Sequence, residues 1–254
     1  MTHRRTLALL TRQDIKSSYD RFRLGILWTL AEPFLFAVMM WFVFTYIFGG
    51  VRVGLAPMVV YLVTGLYPFT WLGTAIRKGP KTFTKFDDLL LFSPLPVMFW
   101  PMRWVLLGLS EFLLSFPVIA AFVILGGKPP TWGLILFPVA MALQFILCMA
   151  FAMIGAALAV NLPDVAMISG VVLRMFFWLS PIFWATRDFP SWFGSLLYVN
   201  PFYGILGFYR ASLWPDEVLV SWTGYATSFG VTLALFVFGL VLLRSRVDEI
   251  RRVE

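Results

Sequence analysis

Six continuous apolar stretches, at about residues 27 to 48, 56 to 76, 104 to 125, 133 to 160, 167 to 186 and 226 to 243, leave this chain few ways to fold. Each approaches the roughly 20 residues that a helix needs to cross a hydrocarbon core about 30 Å thick. Inside lipid every backbone N–H and C=O must find its partner within the protein, and for runs of this length the solution is a helix. The expected fold is an all-α integral membrane protein with six transmembrane helices. Six crossings consume about half the chain, which leaves no room for a separate catalytic or nucleotide-binding domain. Residues 1–254 are expected to form a single transmembrane domain, whose energy source must come from another polypeptide.

An even number of spans puts both termini on one side, and cytoplasmic flanks retain Lys and Arg. The N-terminal segment carries six such residues, the segment between spans two and three carries five, and the C-terminus carries four. The opposite side has Arg52, Lys128, Arg187 and Arg210, and Arg174 falls inside a span. Fifteen against four predicts cytoplasmic termini, so the net charge of +7 is membrane topology, and nucleic acid is not an expected partner. Between Arg5 and Arg12 only Leu7 to Leu10 are continuously apolar, too few for a secretory signal, so no cleaved segment is expected.

Three segments are not simple spans. Ile15, Tyr19, Phe22 and Ile26 recur at helical spacing among charges, predicting a helix in the cytoplasmic interface over residues 1–26. Residues 77–103 form a cytoplasmic elbow, in which Leu89-Leu90-Leu91-Phe92 is halted by Ser93-Pro94-Leu95-Pro96. Residues 187–225 are too apolar for a solvated outer loop. Two short helices broken at Asn200-Pro201 and dipping back into the bilayer fit this segment.

The sequence offers little for catalysis. It has no G-x-x-x-x-G-K-[ST] string, no G-x-S-x-G elbow and no H-E-x-x-H. Cys148 is the single cysteine and His3 the single histidine, which disfavours thiol chemistry and His-ligated metals. Two intramembrane charges stand out, since such groups are costly and tend to be functional. Glu111 lies about 12 Å into span three and Arg174 at a comparable depth in span five. They are expected to pair, either lining a passage or joining two helices statically. Arg103 is read as snorkelling beside Trp100 and Trp104. Glu32, before Pro33, is assigned a backbone or interfacial role. Tyr67, Phe69 and Trp71 in span two, and Phe176, Phe177, Trp178, Phe183 and Trp184 around span five, are dense enough to suggest an aromatic wall. Such a wall suits a sliding sugar polymer, because aromatic faces pack against the C–H faces of sugar rings.

The order of parts and several strings resemble the permease subunit of ABC-2 type polysaccharide exporters, which move teichoic acids, O-antigens and capsular polysaccharides. The strings are Arg12-Gln13-Asp14-Ile15-Lys16, Tyr19, Leu24-Gly25-Ile26-Leu27-Trp28 with Pro33, Ser180-Pro181-Ile182-Phe183-Trp184, Asn200-Pro201-Phe202-Tyr203 and Tyr209-Arg210-Ala211. They bracket most of the chain. Where the family often has Arg-Asp before span five, this chain has Pro163-Asp164, so no role of that arginine carries over. The Leu173 to Trp184 string is most like the teichoic-acid and O-antigen branches, whereas Phe22-Arg23-Leu24-Gly25 and Glu32-Pro33 are closer to capsule permeases.

The resemblance implies a multi-pass protein of the bacterial cytoplasmic membrane, acting as a homodimer on two copies of an ABC ATPase subunit. That partner would bind ATP and Mg; this chain would hold no cofactor and hydrolyse nothing. Asp14 on the interfacial helix, and Asp87, Asp88, Leu89, Leu90, Leu91 and Phe92 on the elbow, would contact the ATPase. Arg21, Arg23, Arg77 and Lys78 would meet the diphosphate of an undecaprenyl-linked polymer, plain positive-inside charge being the simpler role for each. Tyr67, Trp71, Phe176, Phe177, Trp178, Phe183 and Trp184 would line its channel. Two other classes stay open. One is a secondary transporter using Glu111 and Arg174, and the other an intramembrane enzyme of lipid-linked sugars using Glu111 or Asp164 as its carboxylate.

Overall fold

The computed structural model describes residues 2–19, 25–47, 58–83, 95–125, 132–184, 197–213 and 220–250. They are helical, with no strand among the described residues. The N-terminal helix α1 is Thr2–Tyr19 and α2 is Gly25–Phe42, continued by a π-turn Val43–Ile47. Then come α3, Met58–Lys78, with a 3-10 turn Gly79–Lys81, and α4, Phe99–Leu114, followed by α5, Phe116–Leu125. A 3-10 turn Trp132–Ile135 leads into α6, Leu136–Ala159, and the order ends with α7 Val165–Leu179, α8 Pro201–Leu213, α9 Trp222–Ser245 and α10 Val247–Ile250.

Among the described residues, three stretches are long and apolar enough to cross a membrane by length and composition: Phe99–Ile124, Trp132–Ala159 and Trp222–Ser245. Leu30–Phe42 and Val165–Leu179 are apolar but shorter. The third-span stretch bends at Ser115, two residues before Pro117, where the missing proline N–H and ring clash end α4. The fifth is shorter than its expected 167 to 186. Pro181 forces Ser180 into extended backbone (φ −101°, ψ 140°), and the helix stops at Leu179.

Helix α3 is the hub. From Val60 to Ile76 all its side chains but Thr70 are buried, and neighbours bind it on every side. The Tyr67 hydroxyl donates to the Leu30 carbonyl of α2 (2.9 Å), and the Trp71 indole N–H donates to the Val105 carbonyl of α4 (3.0 Å). Gln144 of α6, fully buried, donates its amide to the Pro68 carbonyl (2.6 Å). That bond gives a buried side-chain amide a protein partner at a depth where lipid offers none.

Close approach through small residues fixes the other contacts, as it does between helices in lipid, where apolar burial distinguishes poorly between protein and solvent. Just past the C-terminal end of α3, Gly79 lies so near α6 that a Cβ there would sit 2.8 Å from the Ala152 Cα. This seats the Gly79–Lys81 turn directly on α6. Helix α8 is buried along Pro201–Gly207. It is capped by Asn200, whose side-chain oxygen accepts from the Phe202 N–H (2.9 Å), with Pro201 at the first helical position where its missing donor costs nothing. It is the second of the two helices expected in the outer segment; residues 185–196, where the first is expected, lie outside the described residues.

Candidate functional site

Two groups of residues carry the polar chemistry inside this apolar body. The first joins α1 to α4. Among the described side chains of α1, Leu7, Thr11 and Asp14 are buried, spaced to share one helical face. Asp14 accepts from Arg103, with Oδ2 2.7 Å from Nη2 and 2.9 Å from Nε. Both are nearly excluded from solvent, at 8% and 3% side-chain exposure. The Arg103 guanidinium also lies 5.5 Å from the Trp100 ring centroid. Arg103 therefore does not snorkel; it is an internal ion-pair partner. Asp14 is likewise engaged inside the subunit and presents no carboxylate for an ATPase. Of the expected interfacial stripe, Ile15 is half-buried one turn after Thr11 on this same face and Ile26 falls in α2, while the side chains of Tyr19, Phe22 and Ile26 lie outside the described residues.

Next to this pair, Thr74 donates to Glu111 Oε2 (3.1 Å), and the Lys78 ammonium lies 5.4 Å from the Trp104 centroid. Arg77 and Lys78 end α3 within about a turn of Thr74. The expected Glu111–Arg174 pair does not form. Glu111 faces α3, whereas Arg174 points outward from α7. The two candidates for a lipid diphosphate that fall in the structure, Arg77 and Lys78, sit at this corner, Arg77 exposed and Lys78 partly buried. Arg21, Arg23, Asp87, Asp88 and Leu89 to Phe92 lie outside the described residues.

The second group clamps the chain just after α7. Arg210 of α8 is 2% exposed. It donates to the Tyr61 hydroxyl (2.7 Å) and the Ile182 carbonyl (3.2 Å), and its guanidinium carbon lies 3.4 Å from the Tyr61 ring centroid. The Tyr61 hydroxyl donates onward to the Trp184 carbonyl (2.9 Å). On the other side Asn200 donates to the Leu179 carbonyl (3.1 Å) and to Ser180 Oγ (3.0 Å). Residues 179 to 184 are thus held from α3 and α8 at once. The sequence reading counted Arg210 as an outer-loop charge and gave Tyr61 no role. The signal for burial was available in Arg210 standing within the apolar run Phe202 to Leu213.

The aromatic candidates separate according to the face of the helix they occupy. Tyr67 and Trp71 are core residues, Trp71 stacking on Phe112 (5.5 Å, 22°), and neither has a free face for a polymer. Phe176 turns inward onto Phe151 (5.2 Å), and Phe177 onto Phe69 (5.4 Å) and Phe36 of α2 (5.9 Å). Trp184 is buried, donating to the Trp178 carbonyl (3.2 Å), and Phe183 is half-buried. Trp178, 62% exposed, does project outward. It ends an outward face of α7 formed by Met167, Val171, Arg174, Met175 and Trp178. The expected aromatic wall is mostly internal packing, and one tryptophan of it meets the surroundings.

Comparison with known proteins covers most of the chain. Residues 5–214 match the model of the ABC-2 type transporter family. The O-antigen export system permease protein RfbA of Myxococcus xanthus is 28% identical over 211 residues, 82% of this chain and 80% of that protein. Its namesake in Klebsiella pneumoniae is 27% identical, covering 77% of this chain and 74% of its own length. The polysialic acid transport protein KpsM of Escherichia coli is 21% identical over 245 residues, 96% and 94% of the two chains.

Proposed function

Because the chain belongs to the ABC-2 type transporter family, we propose that it is the permease subunit of an ATP-driven polysaccharide exporter of the bacterial inner membrane. In this reading two copies of the chain dock on two copies of a separate ATP-binding subunit, which holds ATP and Mg and performs the hydrolysis. The six-span topology with cytoplasmic termini belongs to the same proposal, as does the single domain over 1–254. The cargo is an O-antigen-type polymer, as in the names of the Myxococcus and Klebsiella relatives. A capsule-type polymer is the second reading, favoured by the full-length match to the polysialic acid protein. The teichoic-acid expectation rests on the Leu173 to Trp184 string alone.

The observation that carries the reading beyond family membership is the outward face of α7. It is apolar, carries Arg174 near its middle and ends on Trp178. A charge facing lipid tails costs at least about 2.5 to 3.5 kcal/mol. The face therefore belongs against protein or a hydrated passage, which suits a channel between two copies. Opening of that channel is coupled to the ATPase through the elbow that leaves the seated Gly79–Lys81 turn, for coupling needs only that the two permease states bind the ATPase unequally. An undecaprenyl diphosphate head at the inner leaflet would find Arg77 and Lys78 at the α3 corner, joined by Arg21 and Arg23.

The test is to co-purify the chain in lipid with the ABC-type P-loop ATPases of its own genome, each in turn, and compare ATP turnover with that of the ATPase alone. Association and altered turnover, both lost when Leu89 to Phe92 are made polar, are the expected results. Failure to bind any ATPase refutes the reading and makes Glu111 the next group to test.

A further inference from the structure

Beside the Asp14–Arg103 pair, α1 and α4 part and leave a groove of about 330 Å³ between them. Its walls are mostly apolar, with Leu7 and Ala8 from α1 and Leu106, Leu109 and Leu113 from α4. The hydroxyl of Ser110, which also lines it, is turned back onto the Leu107 carbonyl of its own helix (2.6 Å). One charged side chain, Arg12, completes the lining.

The groove has a direction. Leu106 follows Arg103 by three residues, about 4.5 Å along the axis, and Leu113 follows it by ten, about 15 Å. In the six-span topology α4 enters the membrane at its N-terminal end, so these leucines lead from the cytoplasmic interface into the hydrocarbon. Arg12 and Lys16 are exposed and stand two positions either side of Asp14, about 3 Å along α1. Both cations therefore keep to the end of the groove that the ion pair marks. With Asp14 neutralised by Arg103 at 2.7 Å, the charge left on this part of α1 is positive.

We propose that this groove binds an anionic diacyl phospholipid of the inner leaflet, one acyl chain lying between α1 and α4 and the headgroup phosphate meeting Arg12 and Lys16. A partner helix does not fit. One turn of a helix, about 10 Å across and about 5.4 Å long, fills about 400 Å³, more than the whole groove. An acyl chain finds the groove and the bilayer equally apolar, so the chain supplies shape and little selectivity. Selectivity comes from the headgroup. Each Lys or Arg near the surface adds about fivefold in affinity for anionic lipid, and two give about 25-fold. A lipid that binds only where α1 is docked also holds α1 on α4 by mass action. The site thus ties the seating of the N-terminal helix to the composition of the leaflet. From the permease reading the inference takes only the membrane placement, with α1 on the cytoplasmic side.

The experiment uses the full-length chain with its ATPase partner in phosphatidylcholine nanodiscs that carry a trace of phosphatidylglycerol with a diazirine in one acyl chain. After photolysis, mass spectrometry should find the label on residues 7–15 and 106–113. Unlabelled phosphatidylglycerol should displace it at least about tenfold more effectively than added phosphatidylcholine. Arg12→Gln with Lys16→Gln should lower this labelling at least about tenfold, while Arg12→Lys, which keeps the charge, should hold it within about threefold. Ala8→Phe, which fills the groove from an exposed position, should abolish it with both cations in place. Labelling around Phe238, on the exposed face of α9, should stay constant throughout. Displacement by phosphatidylcholine as readily as by phosphatidylglycerol, or labelling indifferent to the charge and groove-filling variants, marks ordinary surrounding lipid and overturns the proposal. Displacement by undecaprenyl diphosphate but not by phosphatidylglycerol also overturns it, giving the groove to a polyprenyl carrier. ATP turnover on the same nanodiscs keeps the two readings apart. An ATPase response without groove labelling brings down the lipid site alone, and groove labelling without a bound ATPase brings down the permease reading alone.

Discussion

Neutralising Asp14 tests whether the N-terminal helix is held from inside the subunit. Asp14→Asn keeps the shape of the side chain but strips the charge from a pair whose arginine is 3% exposed, with N···O contacts of 2.7 and 2.9 Å. Leaving one member of a buried pair uncompensated costs about 3 to 5 kcal/mol, against about 0 to 1 for an exposed pair. Contact with the Trp100 ring, 5.5 Å from the guanidinium, returns about 0.5 to 2 kcal/mol of this. A net loss of about 1 to 4.5 kcal/mol remains, set against a docked face whose described buried residues include a single fully apolar side chain, Leu7. At about 1.4 kcal/mol per factor of ten, α1 should open at least about 5-fold, and up to about 1,600-fold, more often. Hydrogen exchange by mass spectrometry in nanodiscs should show faster exchange over residues 2–19, with α6 and α9 unchanged. Asp14→Leu with Arg103→Met, which replaces the pair by apolar side chains, should recover most of the protection. Two results refute the reasoning: unchanged exchange in the single variant, or a double variant as loose as either single. If Asp14 instead touched the ATPase, Asp14→Asn would weaken that association with α1 protection intact.

Gly204→Val should lower the Tm strongly, because even a Cβ at Gly204 would lie 2.5 Å from Ser228 Oγ. The cost is about 1 to 3 kcal/mol or more, whereas Gly170→Ala, with nothing within 4 Å, should leave the Tm unmoved. Tyr61→Phe removes the hydroxyl that accepts from Arg210 and donates to the Trp184 carbonyl. It should cost about 1 to 3 kcal/mol, with protease sensitivity rising first around residues 180 to 184. Trp178→Ala should keep the Tm but reduce polymer export in cells, while Trp71→Ala should lose about 3 to 5 kcal/mol of stability and reduce export only through loss of protein. Equal Tm losses in the two tryptophan variants would contradict their placement on the outward face and in the core.

Hydrophobicity alone determined that the chain is helical and where most of its helices run, since a backbone in lipid has no other way to satisfy its polar groups. Local chemistry determined the breaks as well: Pro117 after Ser115, Asn200-Pro201 as a helix start, and Pro181, whose consequence for the end of α7 was legible but overridden by the apolar run reaching to residue 186. Which side of each helix faces inward was not legible. Protein core and lipid tails are equally apolar, so a helix apolar all round carries no periodic mark of its buried face. That is why Trp71 and Phe176, inside, and Trp178, outside, look alike in the sequence. The polar partners were invisible for a different reason. Asp14 and Arg103 are 89 positions apart and Tyr61 and Arg210 149, and only the packing of α1 on α4, and of α8 on α3, brings each pair within bonding distance.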